Sequence, residues 1–208
     1  MVSNPSRLNS RHDILVIDAS VAINLLGTGR PADLLRALNR RVIIDEVALR
    51  EVTSDPFSKL PGHEAIGALM RSSLISPVQL SASAFEVFLE LTGAAPPDDL
   101  GNGEAATIAQ CFDIGAVPVI DERKATRISL SLRPRHPILH TIDILASSAV
   151  AAALSRQELA DLVYAALFHA RMRVPAPCRD WVCAMIGPER TGRCPSLGSV
   201  KDFGRRQH

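Results

Sequence analysis

Short, unbroken apolar runs that stop at an acid punctuate this chain. Ile14 to Ile17 stops at Asp18, Val42 to Ile44 at Asp45, and Val117 to Ile120 at Asp121. The runs are rich in β-branched residues, too short for helices and free of polar alternation, which predicts strands covered on both faces, as in parallel sheets flanked by helices. Helical patterns follow them. Ser20 to Leu26 predicts a helix capped by Ser20 and ended by Gly27 to Gly29; Pro31 to Leu38 and Glu46 to Val52 predict two more. On the last of these, Glu51 falls on the same face as Val47 and Ala48, so it is expected to point inward. Further helices are expected over His63–Ser72, Ala82–Thr92, from an Asn102 cap through Phe112, over Glu122–Leu130, from a Thr141 cap to Leu154, and over Ser155–Ala170. Leu74 to Val78 and Pro137 to His140 read as extended pieces. Strand and helix thus alternate, which is the α/β pattern. In open sheets of that class the functional crevice lies beyond the carboxyl ends of the strands, where the strand order reverses.

Composition narrows the picture. A chain of 208 residues supports one well-buried domain with a tail, and an aromatic content of only 4% implies an aliphatic core without platforms for stacking bases. The formal charge of +1 excludes a wholly basic nucleic-acid binder, so any such contact must be local. Arg123, Lys124 and Arg127, on the accessible side of one expected helix, form the local patch. Beyond Pro188, Arg190, Arg193, Lys201, Arg205 and Arg206 outnumber Glu189 and Asp202, which reads as a flexible basic tail. The expected organisation is therefore a flexible stretch 1–12, a domain over 13–175, and an extension 176–208 that is partly disordered. Residues 1–12 lack the apolar core of a secretory signal, and no apolar run reaches membrane-spanning length, so a soluble cytoplasmic protein without a membrane partner is expected. Cys111, Cys178, Cys183 and Cys194 lack paired zinc-ligand spacing and are read as reduced thiols. A nucleotide-binding Rossmann reading fails at Ala19-Ser20-Val21, where a glycine-rich phosphate turn would be needed. The histidine pair four residues apart, His136 and His140, is interrupted by Pro137 and does not read as a helical metal pair.

A carboxylate that closes a fully buried strand is costly unless it opens on a crevice or is neutralised. Asp18 and Asp121 are the leading pair for that reason, and on adjacent strands they would crowd each other unless a cation lay between them. Asp45, Glu122 and Asp143 are explained as a helix cap, a first-turn acid and a helix-dipole partner.

Three stretches in order, Ile17-Asp18-Ala19-Ser20, Leu100-Gly101-Asn102-Gly103-Glu104-Ala105 and Val119-Ile120-Asp121-Glu122-Arg123, together with the helix carrying Glu51, make residues 13–175 resemble PIN domains, the nuclease fold of VapC-type toxins and related ribonucleases. The resemblance implies a three-layer sandwich around a central parallel sheet of order 3-2-1-4-5. It implies a catalytic set of Asp18, Glu51, Glu104 and Asp121, with Asp18, Glu104 and Asp121 as ligands of Mg²⁺ or Mn²⁺. It implies cleavage of RNA, single-stranded or structured, by metal-activated water, with Arg123, Lys124 and Arg127 on the RNA, a small antitoxin protein as partner and a homodimer as assembly. The rival reading is a catalytically silent PIN-like module that binds RNA or protein. One departure stands out: relatives usually carry a Gly-Thr-Gly type sequence after the last strand, whereas His140-Thr141-Ile142-Asp143 adds bulk and a further acid near the site.

Overall fold

The computed structural model describes residues 3–197. Four strands, β1 (Ile14–Ile17), β2 (Arg41–Asp45), β3 (Ser76–Val78) and β4 (Val117–Val119), form one all-parallel sheet of order β3-β2-β1-β4. Side chains alternate across it as the pleat requires. Leu15, Ile17, Val42, Ile44, Val117 and Val119 enter the main core on one face, and Val16 and Ile43 meet Cys111 on the other. Burial of each large aliphatic side chain stabilises the fold by about 1.5–3 kcal/mol relative to exposure, so the two-sided cover explains the unbroken apolar runs.

Helices α1 (Ala19–Gly27) and α2 (Pro31–Leu38) cover the main-core face, while α3 (Glu46–Glu51) and α4 (Gly62–Arg71) lead to β3. Helix α5 (Ala82–Thr92) packs on α6 (Asn102–Ile114), which lies across β1, β2 and β4 on the opposite face, and α7 (Arg123–Leu132) follows β4 there. The chain then returns to the main-core face as α8 (Thr141–Leu145), α9 (Ser148–Ala153) and α10 (Arg156–His169). Gly27 ends α1 where that helix meets α10, and a Cβ there would stand 2.6 Å from the Cβ of Ala170, so the close approach requires glycine.

Several expected details shift. The fifth strand is reduced to a single parallel bridge between Val119 and Leu139, with Leu139 N–H donating to Pro118 O and Ile120 N–H to Leu139 O, each at 2.9 Å. Pro118 has no N–H to carry that ladder one step back. One step forward, the Ile120 carbonyl is taken by His140 Nδ1 at 2.6 Å and the Thr141 N–H by Asp121 at 2.9 Å. The four strands keep the expected order, and Leu139 occupies the fifth place.

The single helix expected over Thr141–Leu154 is two, because Ser147 caps α9 by accepting from Val150 N–H at 3.3 Å. The segment expected to be a flexible N-terminus is tied down over Asn4 to Arg7. Asn4 Nδ2 donates to Ala146 O, Ser6 Oγ to Asp143 O, and Arg7 to the Asp143 carboxylate through its backbone N–H and its guanidinium. The extension is also ordered over the described residues 176–197. A turn at Ala176–Cys178, helices α11 (Arg179–Ile186) and α12 (Pro188–Gly192) and a turn at Pro195–Leu197 bury Trp181, Val182, Ile186, Cys194 and Leu197 in the main core. The charges expected at Lys201, Asp202, Arg205 and Arg206 lie outside the described residues.

Candidate active site

The strand ends bring three acids to one edge of the sheet. Ile17 pairs with Val119 on one side of β1, and Val16 with Ile43 on the other. Continued to position 18, this register sets Asp18 beside Asp45 and beside Ile120, so Asp121 stands one residue beyond Asp18. The two similar endings are staggered.

Asp18 is only 2% exposed. It caps α1 itself: Oδ1 accepts from Val21 N–H at 2.7 Å, and Ser20 Oγ donates to the carboxylate at 3.0 Å. The expected cap, Ser20, already sits within the helix, and Asp18 has the extended backbone that a cap needs. Burial pushes the Asp18 carboxyl up to about 8, helped by the charges of Asp121 and Glu104 and opposed by the hydrogen bonds from Val21 and Ser20.

Asp121 is enclosed in a different way. Thr141 N–H donates to Oδ1 at 2.9 Å, while Thr141 Oγ1 at 2.5 Å and Asn24 Nδ2 at 2.7 Å donate to Oδ2. Burial raises its pKa, against these hydrogen bonds and the nearby His140. Thr141, expected as a cap, instead clamps Asp121, and the capping position belongs to His140. Asn24 was not among the expected site residues. Its signal was a lone amide in the apolar helical run Val21, Ala22, Leu25 and Leu26.

Glu51 and Glu104 complete the edge. Glu51 does not point inward as expected: it is the exposed last residue of α3, and its Oε1 reaches across to accept from Gly103 N–H at 2.9 Å. Glu104, half-buried in the first turn of α6, has a raised pKa, first from burial and then from the charges of Glu51 and Glu122. The glycines around Asn102 make room for these carboxylates. A Cβ at Gly103 would stand 2.5 Å from Glu51 Oε2, and one at Gly101 would collide with the Glu104 carboxylate. Asn102, expected as the cap of α6, is its first residue, and Gly101 is the cap.

Among the described residues, no three carboxylate, imidazole or thiol side chains already surround a common point as metal ligands. The donor set nonetheless suits a hard divalent cation: it consists of carboxylate oxygens, Asp18 ionises against the charges of Asp121 and Glu104, and glycine leaves space around both glutamates. Gly103→Ala provides a check. Alanine favours the helix by up to ~1 kcal/mol, and the methyl displaces only the end of a flexible side chain. The melting temperature should therefore hold or rise, while loss of the Glu51 anchor should lower any metal-dependent activity by about tenfold or more.

The other acids have structural partners. Asp45 caps α3, accepting from Val47 N–H at 2.8 Å, and its buried Oδ2 has no partner among the described residues. Glu122 caps α7 through Ala125 N–H. Asp143, expected to add an acid near the site, instead accepts from Arg7 at 2.6 Å and His140 N–H at 2.8 Å. Of the expected basic patch, Lys124 pairs with Asp99 at 3.5 Å and Arg127 with Asp98 at 2.7 Å, whereas Arg123 is exposed. Because a carbonyl can only accept, the 2.6 Å contact places the proton of a neutral His140 ring on Nδ1, leaving Nε2 as the acceptor beside a cleft of about 820 Å³.

The fold and this edge define an α/β domain with a carboxylate cluster at the carboxyl ends of its parallel strands. The chain belongs to the PIN-domain family: the family model DUF3368, a PIN domain, matches residues 14–155, about two thirds of its length. No curated protein and no solved structure matches it. PIN domains are generally nucleases acting on nucleic acids and typically use divalent metal ions, so the chain is a nuclease-like, nucleic-acid-binding module. Among the described residues, no helix is long and apolar enough to cross a membrane.

Proposed function

We propose that this protein is a metal-dependent endoribonuclease acting in the cytoplasm as the toxin of a toxin-antitoxin pair, with Mg²⁺ or Mn²⁺ as its cofactor. The observation that carries the catalytic reading is the cluster of Asp18, Asp121, Glu104 and Glu51, in which burial and mutual repulsion oppose ionisation of Asp18. A hard cation would be held by Asp18, Glu104 and Asp121 and would supply an activated water and charge neutralisation at the phosphodiester. The residues of the chain set the stage for that chemistry. Ser20 and Val21 N–H fix the Asp18 carboxylate, Asn24 and Thr141 fix that of Asp121, and Gly103 N–H fixes Glu51.

One observation favours a second reading, a silent module that binds RNA or protein: both Asp121 oxygens are already engaged, by three donors in all. Single-stranded RNA incubated with the purified protein and Mn²⁺, with and without excess EDTA, separates the two. Cleavage that EDTA abolishes is expected. RNA retained but intact at saturating Mn²⁺ would leave only the binding module.

A further inference from the structure

The family match ends at residue 155, yet the cleft beside Asp121 and His140 is walled largely by residues beyond it. After α10 the chain runs on through Arg171, Met172, Arg173 and Val174. Met172 and Val174 are buried at 1% and 4%, so the alternation of an extended segment turns Arg171 and Arg173 outward together, into the cleft lining. Arg179, at the start of α11, joins them, and its Nε is buried with no hydrogen-bond partner among the described residues. Across the cleft stands Arg123 of α7. None of these four arginines forms an ion pair among the described residues.

Four arginines around one cleft, with Asp121 the single carboxylate in its lining, repel one another, and a polyanion relieves that repulsion. The backbone supplies an independent sign. Arg171 follows the cap of α10 and has φ of 54°, in the left-handed region where helices ordinarily place glycine or asparagine. Met172 N–H donating to Ala166 O at 3.2 Å completes the helix end. A glycine would suit this backbone better, so the arginine is held there against local preference, with its side chain in the cleft.

We propose that the segment 171–179 is the second wall of a nucleic-acid channel, in which the phosphates of a single strand lie across Arg171, Arg173, Arg179 and Arg123 and lead to the Asp121 end of the cleft. Among the described residues no phenylalanine, tyrosine or tryptophan lines the cleft, so its grip is chiefly on the backbone. The proposal rests on the nuclease reading only for what happens at the acids; the grip itself is measured without cleavage.

Fluorescence anisotropy of a short single-stranded RNA in EDTA, across a salt series, tests it. Each phosphate contact removed should flatten the slope of log affinity against log salt by about 0.7 for a single strand. Arg171→Gly should therefore bind more weakly with a slope flatter by about 0.7, and Arg173→Ala with Arg179→Ala flatter by about 1.4, while Arg193→Ala, outside the cleft, changes nothing. Arg171→Gly should also melt at or above the wild-type temperature, which keeps the test free of misfolding. Wild-type affinity and slope in both cleft variants would overturn the proposal, as would a wild-type protein that does not retain RNA. Cleavage in Mn²⁺ with unaltered binding by the variants would sink the channel and leave the nuclease standing. Retention with the expected slopes but no cleavage would do the reverse.

Discussion

Asp18→Asn and Asp121→Asn should each bring Mn²⁺-dependent RNA cleavage down by more than about 10²-fold, since loss of an outer-shell partner of a metal ligand alone commonly costs 10–100-fold. Both substitutions keep the local scaffold. Asparagine caps helices as well as aspartate, so Val21 N–H retains its acceptor at position 18; at position 121 the amide oxygen can still accept from Thr141 N–H, with the Asn24 amide turned over so that its oxygen accepts from the new NH2. What is lost is negative charge at the edge where a cation would sit. Asp45→Asn is the counter-case: its carboxylate caps α3 and its Oδ2 is buried without a partner, so cleavage should stay within a few-fold. Initial rates on a single-stranded RNA decide the matter, and equal losses at Asp18 and Asp45 would move the site toward β2.

The second large effect is on stability and needs no substrate. In the metal-free protein Asp18 titrates near 8, far above the usual carboxylate range near 4 that it has when unfolded. Below that range both states hold the proton. Between the two values the native state keeps a proton that the unfolded state has released, so the Asp18 contribution to stability declines as pH rises, by up to ~1.4 kcal/mol per pH unit. Asp121, Asp45 and Glu104 are also raised and act in the same direction, whereas His12 and His136, lowered chiefly by burial, act in the opposite one. The informative quantity is therefore the difference between wild type and Asp18→Asn. In EDTA the variant should gain on wild type by about 2–4 kcal/mol between pH 5 and pH 8. Millimolar Mn²⁺ should reverse that gain, because binding to the folded form alone adds RT ln(1 + [L]/Kd). Parallel pH profiles in EDTA would mean that Asp18 ionises freely and that no crowded acidic centre exists.

The residues that were legible in advance share one property: their signal is local. Asp18 and Asp121 announced themselves because each closes an apolar run, and α2 and α5 begin and end where proline, serine and hydrophobic spacing place them. Glu51 and Glu104 were reached through resemblance, since a glutamate in a helical turn has many ordinary explanations. Asn24, Thr141 and the arginines after α10 were missed in these roles, because each acts on a partner far away in sequence. The packed extension was missed too. Pro175 and Pro177 broke the periodicity just before α11, although Trp181, Val182, Met185 and Ile186 keep helical spacing.

By itself, then, the sequence determined an α/β domain with a parallel sheet, the strand ends at which acids must emerge, and an aliphatic core, all of which follow from period, burial and composition. Only the tertiary structure decided that Asp121 is clamped by Asn24 and Thr141, that Asp143 serves Arg7 instead of the site, and that two of the three charges in the expected patch on α7 are paired with Asp98 and Asp99. It also decided that three of the four cleft arginines without an ion pair among the described residues come from beyond the family's boundary. The reason is physical: hydrogen bonds and ion pairs are fixed by distances of about 3 Å between groups that can be a hundred residues apart. Local pattern specifies which groups must find a partner, and only the packing of helices on the sheet specifies which partner arrives.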